Sequence, residues 1–235
     1  SRNSFVAQAT HELRTPLTNI RLYVEQAVDE GEEDPQLRAQ ALNVINSEAR
    51  RLERIVADML SVAEIEAGSL SIRPGDVRTD ALFEDLTNDY AAQAAEKSIE
   101  LTFDLPPKMP VIRGDRDRLG QALHNLVGNA LKYTPPGGKV AVRVEAPEEG
   151  GLIVHVIDTG IGIDPEECER IFDRFYRAND RRIAHVTGSG LGLALAREIA
   201  RLHGGDIEVE SKLDQGSTFT ITLPGSDQPS AQRAA

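Results

Sequence analysis

Apolar residues near the start of the chain recur at steps of three and four. Leu13, Leu17, Ile20, Val24 and Ala27, with Val6 one heptad earlier, have the spacing of a helix that buries one seam in a bundle. With Leu13 at heptad position d, Leu17 falls at a, Ile20 at d and Val24 at a. His11, Glu12 and Thr15 then take b, c and f, on the face turned to solvent. Thr15 lies one turn below His11 on the same side. This helix is expected to run to about Val28, closed by the polar turn Asp29-Glu30-Gly31-Glu32-Glu33-Asp34-Pro35. From Gln36 a second helix carries Ile45, Ala49, Leu52, Val56, Met59 and Ala63, again a heptad seam. Two helices joined by a short turn form an antiparallel hairpin. A hairpin alone cannot cover this seam together with Leu42, Ile55, Leu60, Val62 and Ile65, so pairing with a second copy into a four-helix bundle is expected.

Gly68 is placed to cap the second helix and Pro74-Gly75 marks a turn, so a domain boundary falls between Ala67 and Asp76. Beyond it the period mixes. Leu70-Ser71-Ile72 reads as a short strand, Thr79 to Glu96 as a helix, Ile99 to Phe103 as a strand and Val111-Ile112 as a short extended piece. Asp115 can cap a helix carrying Leu119, Leu123, Leu126, Val127, Ala130 and Leu131. Lys139 to Glu145 and Leu152 to Ile157 alternate as strands around an acidic turn; a helix over Leu191 to Leu202 and strands Asp206 to Ser211 and Ser217 to Leu223 follow. The expected fold class is α+β: the antiparallel helical hairpin, forming a dimeric four-helix bundle, over residues 1–67, then a two-layer α/β sandwich over 68–225. The Ser, Gln, Pro and Ala of residues 226–235 suggest a disordered tail.

Composition narrows the function classes. The 235 residues hold 26 basic against 38 acidic side chains, a net charge of −12, which disfavours broad contact with a phosphate backbone. A single cysteine, Cys168, excludes an internal disulfide and a Cys-rich metal site. No apolar run approaches the roughly 20 residues that span a bilayer, and no secretory signal is read. The opening helix starts only ten residues before His11, so a membrane or sensor part is expected to precede it.

Pro16 stands inside the first helical pattern, where it cannot donate to the Glu12 carbonyl and tends to kink the chain. Keeping this costly residue below a solvent-facing His-Glu pair points to chemistry there. Thr10-His11-Glu12-Leu13-Arg14-Thr15-Pro16-Leu17 resembles the H-box of sensor histidine kinases. Three further patches lie in the second domain. Asn125, Asn129 and Lys132 form one polar stripe on an otherwise apolar helix, an expensive arrangement unless it faces ligands. Asp158-Thr159-Gly160-Ile161-Gly162 follows a strand directly and lets backbone approach a flat ligand. Gly188-Ser189-Gly190-Leu191-Gly192-Leu193 opens a helix, as phosphate-binding turns do, yet fits neither the dinucleotide fingerprint nor a Walker A loop.

In this order the patches resemble the N, G1 and G2 boxes of the ATP-binding domain shared by histidine kinases, Hsp90, MutL and gyrase. Ile171-Phe172-Asp173-Arg174-Phe175-Tyr176-Arg177 resembles the F-box of the kinase branch. The resemblance implies that Asp158 reads the adenine amine beside Gly160 and Gly162, that Asn129 and Asn125 hold Mg²⁺ against the phosphates of ATP, and that Lys132, Tyr133, Tyr176 and Arg177 belong to the nucleotide site, Lys132, Tyr133 and Arg177 on phosphate or ribose. It implies a mobile lid from Asp173 to Thr187.

Clamp-type ATPases of this group resemble one another in a glutamate four residues before the Mg²⁺-binding asparagine. Here that position is Asn125, which cannot act as a general base. A better nucleophile is then needed, and the resemblance supplies His11, with Glu12 taking its proton. Thr15 would orient water against a phosphorylated regulator, giving phosphatase activity. The expected partner is the receiver domain of a response regulator. Leu22 lies at f, an apolar residue on the wrong face, so Thr18, Asn19 and Leu22 form the candidate docking patch. The expected location is cytoplasmic, with any inner-membrane anchor in a preceding part. The alternatives are a clamp-type ATPase and a dimeric nucleotide-binding scaffold without turnover.

Overall fold

The computed structural model describes residues 2–29, 34–174, 176, 182 and 190–225, with the side chains of residues 2–9, 11, 12 and 66 excepted. They form two compact units that divide between Leu70 and Ser71.

In the first unit, helix α1 (Arg2–Asp29) packs on helix α2 (Pro35–Glu66). Asp34 caps α2 by accepting the N–H groups of Gln36 and Leu37, with Pro35 at the position that needs no donor. At the other end the amides of Gly68 and Ser69 donate to the carbonyls of Ile65 and Glu64, a Schellman closure that requires the positive φ of Gly68. α1 continues through Pro16 without a break, and the Pro16 ring is buried.

The faces of this hairpin differ from the heptad assignment. The stripe of α1 that loses solvent includes Pro16, Ile20, Tyr23 and Ala27, whereas Leu17 and Val24, assigned to the seam, are 60% and 42% exposed. Asn19 turns inward and donates through Nδ2 to Glu48 Oε1 at 3.3 Å. Two helices touch along one line, so the stripe they share covers only part of a broad apolar face. Leu17, Val24, Val28, Leu42, Val56 and Leu60 all remain exposed.

The second unit holds a two-stranded and a five-stranded sheet. Strand β1 (Gly75–Arg78) pairs antiparallel with β3 (Val111–Gly114), Val77 opposite Ile112. The strand expected at Leu70-Ser71-Ile72 is absent; pairing begins at Gly75, because β3 ends opposite it and Pro74 has no N–H to offer a ladder. Helix α3 (Thr79–Glu96) follows, then β2 (Glu100–Asp104). Asp115 caps helix α4 (Arg116–Tyr133), accepting from Asp117 and Arg118. Strands β4 (Lys139–Glu145) and β5 (Gly151–Asp158), helix α5 (Gly192–Leu202), β6 (Asp206–Lys212) and β7 (Gly216–Pro224) complete the unit.

The large sheet runs β2-β4-β5-β7-β6, with only β2 and β4 parallel. A parallel pair needs a crossover, and α4 lies within it. Val140, Val142 and Val144 on β4, Leu152, Val154 and Val156 on β5, and Phe219, Ile221 and Leu223 on β7 alternate inward and are buried. The helices return Leu86, Leu119, Leu123, Leu126, Leu131, Leu195 and Ile199, all buried. Each such side chain contributes about 1.5–3 kcal/mol, so the two-layer α/β sandwich has a core of its own. A short 3₁₀ turn, Arg170–Phe172, lies between β5 and α5; its Phe172 meets Phe219 edge to face and carries the Arg197 guanidinium on its ring.

Candidate functional site

α4 forms the wall of the site. Its apolar side is fully committed to the core, and Asn125, Asn129, Lys132 and Tyr133 remain half-buried on the other. Asn125 Nδ2 is buried with no hydrogen-bond partner among the described residues. An orphaned donor of this kind costs about 1–3 kcal/mol, which marks it as waiting for an acceptor. Beside it lies the start of α5: a Cβ added at Gly192 would come within 3.0 Å of Asn125 Oδ1. Gly190 reaches this turn with a φ of +69°, and the N-cap residue of α5, Leu191, has no side chain able to cap it. Leu191 is buried and Leu193 half-buried. The first turn of α5 begins beside the Asn125 amide, and the amides of a helix's first turn suit an anion.

The second wall is the end of β5. Asp158 Oδ1 accepts the Gly160 N–H at 2.8 Å, and the carboxylate also accepts the N–H of Ser217, its partner across the β5–β7 ladder. Burial outweighs both bonds and pushes Asp158 up to about 6. The loop is seated directly on α4. Ile161 N–H donates to the Tyr133 carbonyl at 3.3 Å, and a Cβ at Gly160 would stand 2.6 Å from that same oxygen. Gly162 takes a φ of +68° against the carbonyl of Lys212, where a Cβ would overlap. Lys132 Nζ lies 5.0 Å from the centre of the Tyr133 ring.

The stripe on α4, the Asp158 loop and the opening of α5 are therefore brought together around one helix. Tyr176 makes its contacts elsewhere: its hydroxyl donates to Glu167 Oε1 at 2.7 Å and Arg170 lies over its ring. Arg177, Gly188 and Ser189, and most of the span from Asp173 to Thr187, lie outside the described residues. Ser217 is the member of the site that the sequence did not disclose. It acts through a backbone amide, and only the β5–β7 register brings it to Asp158.

In the first unit, Thr15 is half-buried rather than open, because the stripe facing α2 has rotated toward Pro16. Of the docking patch, Thr18 and Leu22 are exposed, Leu22 by 58%, while Asn19 points to Glu48.

The two units match two family models in order: the His Kinase A (phospho-acceptor) domain over residues 1–68 and the histidine kinase-, DNA gyrase B- and HSP90-like ATPase over residues 114–227. The sensor histidine kinase WalK of Bacillus subtilis is 37% identical over 224 residues, 95% of this chain and 36% of WalK. The solved structure of the mycobacterial sensor histidine kinase MprB is 31% identical, with a TM-score of 0.53 over 66% of this chain and 97% of that one. The chain belongs to the sensor histidine kinases. ShkA, a structure solved in complex with AMPPNP, is 28% identical with a TM-score of 0.65, covering 99% of this chain and 48% of that chain. The chain spans little more than a third of the length of the curated relatives it matches. Among the described residues no helix is long and apolar enough to cross a membrane.

Proposed function

We propose that this kinase core binds ATP with Mg²⁺ on α4, the Asp158 loop and the start of α5, phosphorylates its own His11, and passes the phosphoryl group to an aspartate of a response regulator. The observation that carries the reading is the buried, unpartnered Asn125 amide set against Gly192, in a chain whose first unit matches the phospho-acceptor model. The domains we propose are 1–67 for dimerisation and phosphoacceptance and 68–225 for ATP binding, in a cytoplasmic core.

The donor set fits the ion. Mg²⁺ prefers hard oxygen ligands and is held by few protein groups together with substrate phosphates, and Asn125 and Asn129 offer amide oxygens one helical turn apart on the half-buried side of α4. When bound, the ion neutralises phosphate charge. Asp158 accepts the exocyclic amine of adenine, and Gly160 and Gly162 keep side chains out of the way of the base. The backbone amides of Gly190 to Leu193 and the ammonium of Lys132 meet the phosphates, with Tyr133 and Arg177 completing the set; Tyr176 joins it through a rearrangement of the segment that now ties it to Glu167.

In the reaction a ring nitrogen of neutral His11 forms the N–P bond as the bond from the γ-phosphorus to the bridging oxygen breaks and ADP leaves; Glu12 takes the proton from the other ring nitrogen. With Asn125 where a hydrolase carries glutamate, water has no base beside the γ-phosphate. Thr15, one turn from His11, would orient the water that removes phosphate from the regulator. The exposed Leu17, Val24, Val28, Val56 and Leu60 support a second copy as the cover of the hairpin, making the four-helix bundle.

Incubation with γ-labelled ATP and Mg²⁺, beside Asn129→Ala, tests the reading. Acid-labile, alkali-stable label on the wild type and none on the variant is expected; phosphate release without labelled protein would make the chain an ATPase. Asp158→Asn is expected to fold and to weaken ATP binding about 10–100-fold, the worth of a hydrogen bond to a charged group. Wild-type affinity should rise with pH through about 6, where the Asp158 carboxyl loses its proton, and that rise should vanish in the variant; titration calorimetry between pH 5 and 8 reads both. Leu22→Glu should slow transfer to the regulator about tenfold, as expected of a charge placed in an apolar contact, with autophosphorylation unchanged. Equal transfer rates would remove Thr18, Asn19 and Leu22 as the docking patch.

A further inference from the structure

α4 and α5 pack against each other, and both ends of the pair are fixed. At one end His203, just after α5, uses both ring nitrogens: Nε2 accepts the Asp115 N–H at 2.9 Å, and Nδ1 lies 2.8 Å from the Ile199 carbonyl. An acceptor at Nε2 and a donor at Nδ1 define one neutral tautomer. Burial holds the ring in that form by lowering its affinity for a proton, against the carboxylate of Asp115. The approach is possible because residue 114 is glycine: a Cβ there would lie 3.0 Å from His203 Cδ2 and 2.8 Å from Leu119 Cδ1. At the other end of the pair, Gly192 abuts Asn125.

The spans match. From Asp115 to Asn125 the chain climbs about 15 Å along α4, and from Gly192 to His203 about 16 Å along α5, at 1.5 Å per residue. With Asp115 at His203 and Asn125 at Gly192, the two helices run antiparallel between two fixed points, each admitted by a glycine. The Asp115 bond is a polar link between the N-terminus of α4 and the C-terminus of α5. We infer that His203 is a positioning residue for the nucleotide site, setting the axial register of α5 against α4 and thereby the place of Gly192 and the α5 amides relative to Asn125. It touches no nucleotide group itself; it acts through the two helices.

The inference rests on the nucleotide reading above for its functional readout. Two substitutions in the full chain separate the two bonds. In His203→Gln the amide oxygen can reach the place of Nε2 and keep the Asp115 N–H; in His203→Asn the amide nitrogen replaces the Nδ1 donor and keeps only Ile199. Each loses one hydrogen bond, so thermal unfolding should fall by similar amounts in both. AMPPNP affinity with Mg²⁺ should fall about tenfold in His203→Asn and less than about threefold in His203→Gln, a tenfold change being about the worth of one hydrogen bond. The Asp115 amide should exchange slowly in the wild type and His203→Gln and fast in His203→Asn. Equal affinities in the two variants, with the wild type binding, would overturn the positioning role and leave the nucleotide site standing. No binding by the wild type would overturn the nucleotide reading and the positioning role with it.

Discussion

His11→Gln removes all phosphoryl label from the protein while its affinity for ATP stays within about twofold of the wild type, since nothing in the binding step uses the imidazole. Imidazole has an ordinary pKa near 6.5 and is largely neutral at pH 7, so one ring nitrogen holds a free electron pair for phosphorus. The glutamine amide nitrogen shares its pair with a carbonyl and cannot attack. Glutamine is a good helix former, so α1, which runs unbroken from Arg2 to Asp29, is expected to persist in the variant. The groups proposed to bind the nucleotide stand on α4, β5 and α5 of the other unit. Label persisting on His11→Gln would place the acceptor elsewhere in the chain. Lost ATP binding in the same variant would mean that the phosphoacceptor helix forms part of the nucleotide pocket.

Gly216→Val unfolds the nucleotide-binding unit at markedly lower denaturant and abolishes ATP binding in whatever remains folded. Gly216 opens β7 with a φ of +104°, a conformation side chains rarely adopt, and a Cβ there would overlap the Asp158 carbonyl. Backbone strain costs about 1–3 kcal/mol and the forced separation of two packed chains about as much again, so a loss of about 2–6 kcal/mol is expected. Domains are stable by only about 5–15 kcal/mol. The same movement separates Ser217 from Asp158, so the carboxylate loses an amide that orients it. Gly75→Ala is the control: its φ is ordinary and a Cβ there meets nothing within 4 Å. Its urea midpoint should match the wild type, while a midpoint for Gly216→Val equal to that of Gly75→Ala would show that the β5–β7 end can open without cost.

The helices and most strands were legible because each writes its own period. The α4 pattern of Leu119, Leu123, Leu126 and Leu131 beneath an Asp115 cap, and the alternation of Val140, Val142 and Val144, need no partner to be recognised. The strand placed at Leu70 to Ile72 failed for the opposite reason: a short strand is defined by what it pairs with, and β3 ends at Gly114, opposite Gly75. The heptad assignment of α1 found a broad apolar face correctly but not which part of it meets α2. Leu17 and Val24 satisfy a heptad as well as Pro16 and Tyr23 satisfy the hairpin, and only packing of two specific surfaces chooses between them.

The candidate site divides the same way. Residue type and spacing along the sequence singled out Asn125, Asn129, Asp158, Gly160, Gly162 and the Gly190 to Gly192 turn as candidates, since a polar stripe on an apolar helix and glycines after a strand are local signals, and the family resemblance gave them their proposed roles. That these patches share one wall was decided only by tertiary structure, through Gly192 at Asn125 and Ile161 on the Tyr133 carbonyl. So were the Ser217 amide on Asp158 and the His203 clamp on Asp115, a bond across 88 positions of sequence. Both depend on backbone groups, which every residue carries and no sequence pattern distinguishes; their meeting is fixed by sheet register and helix packing, and those exist only once the chain has folded.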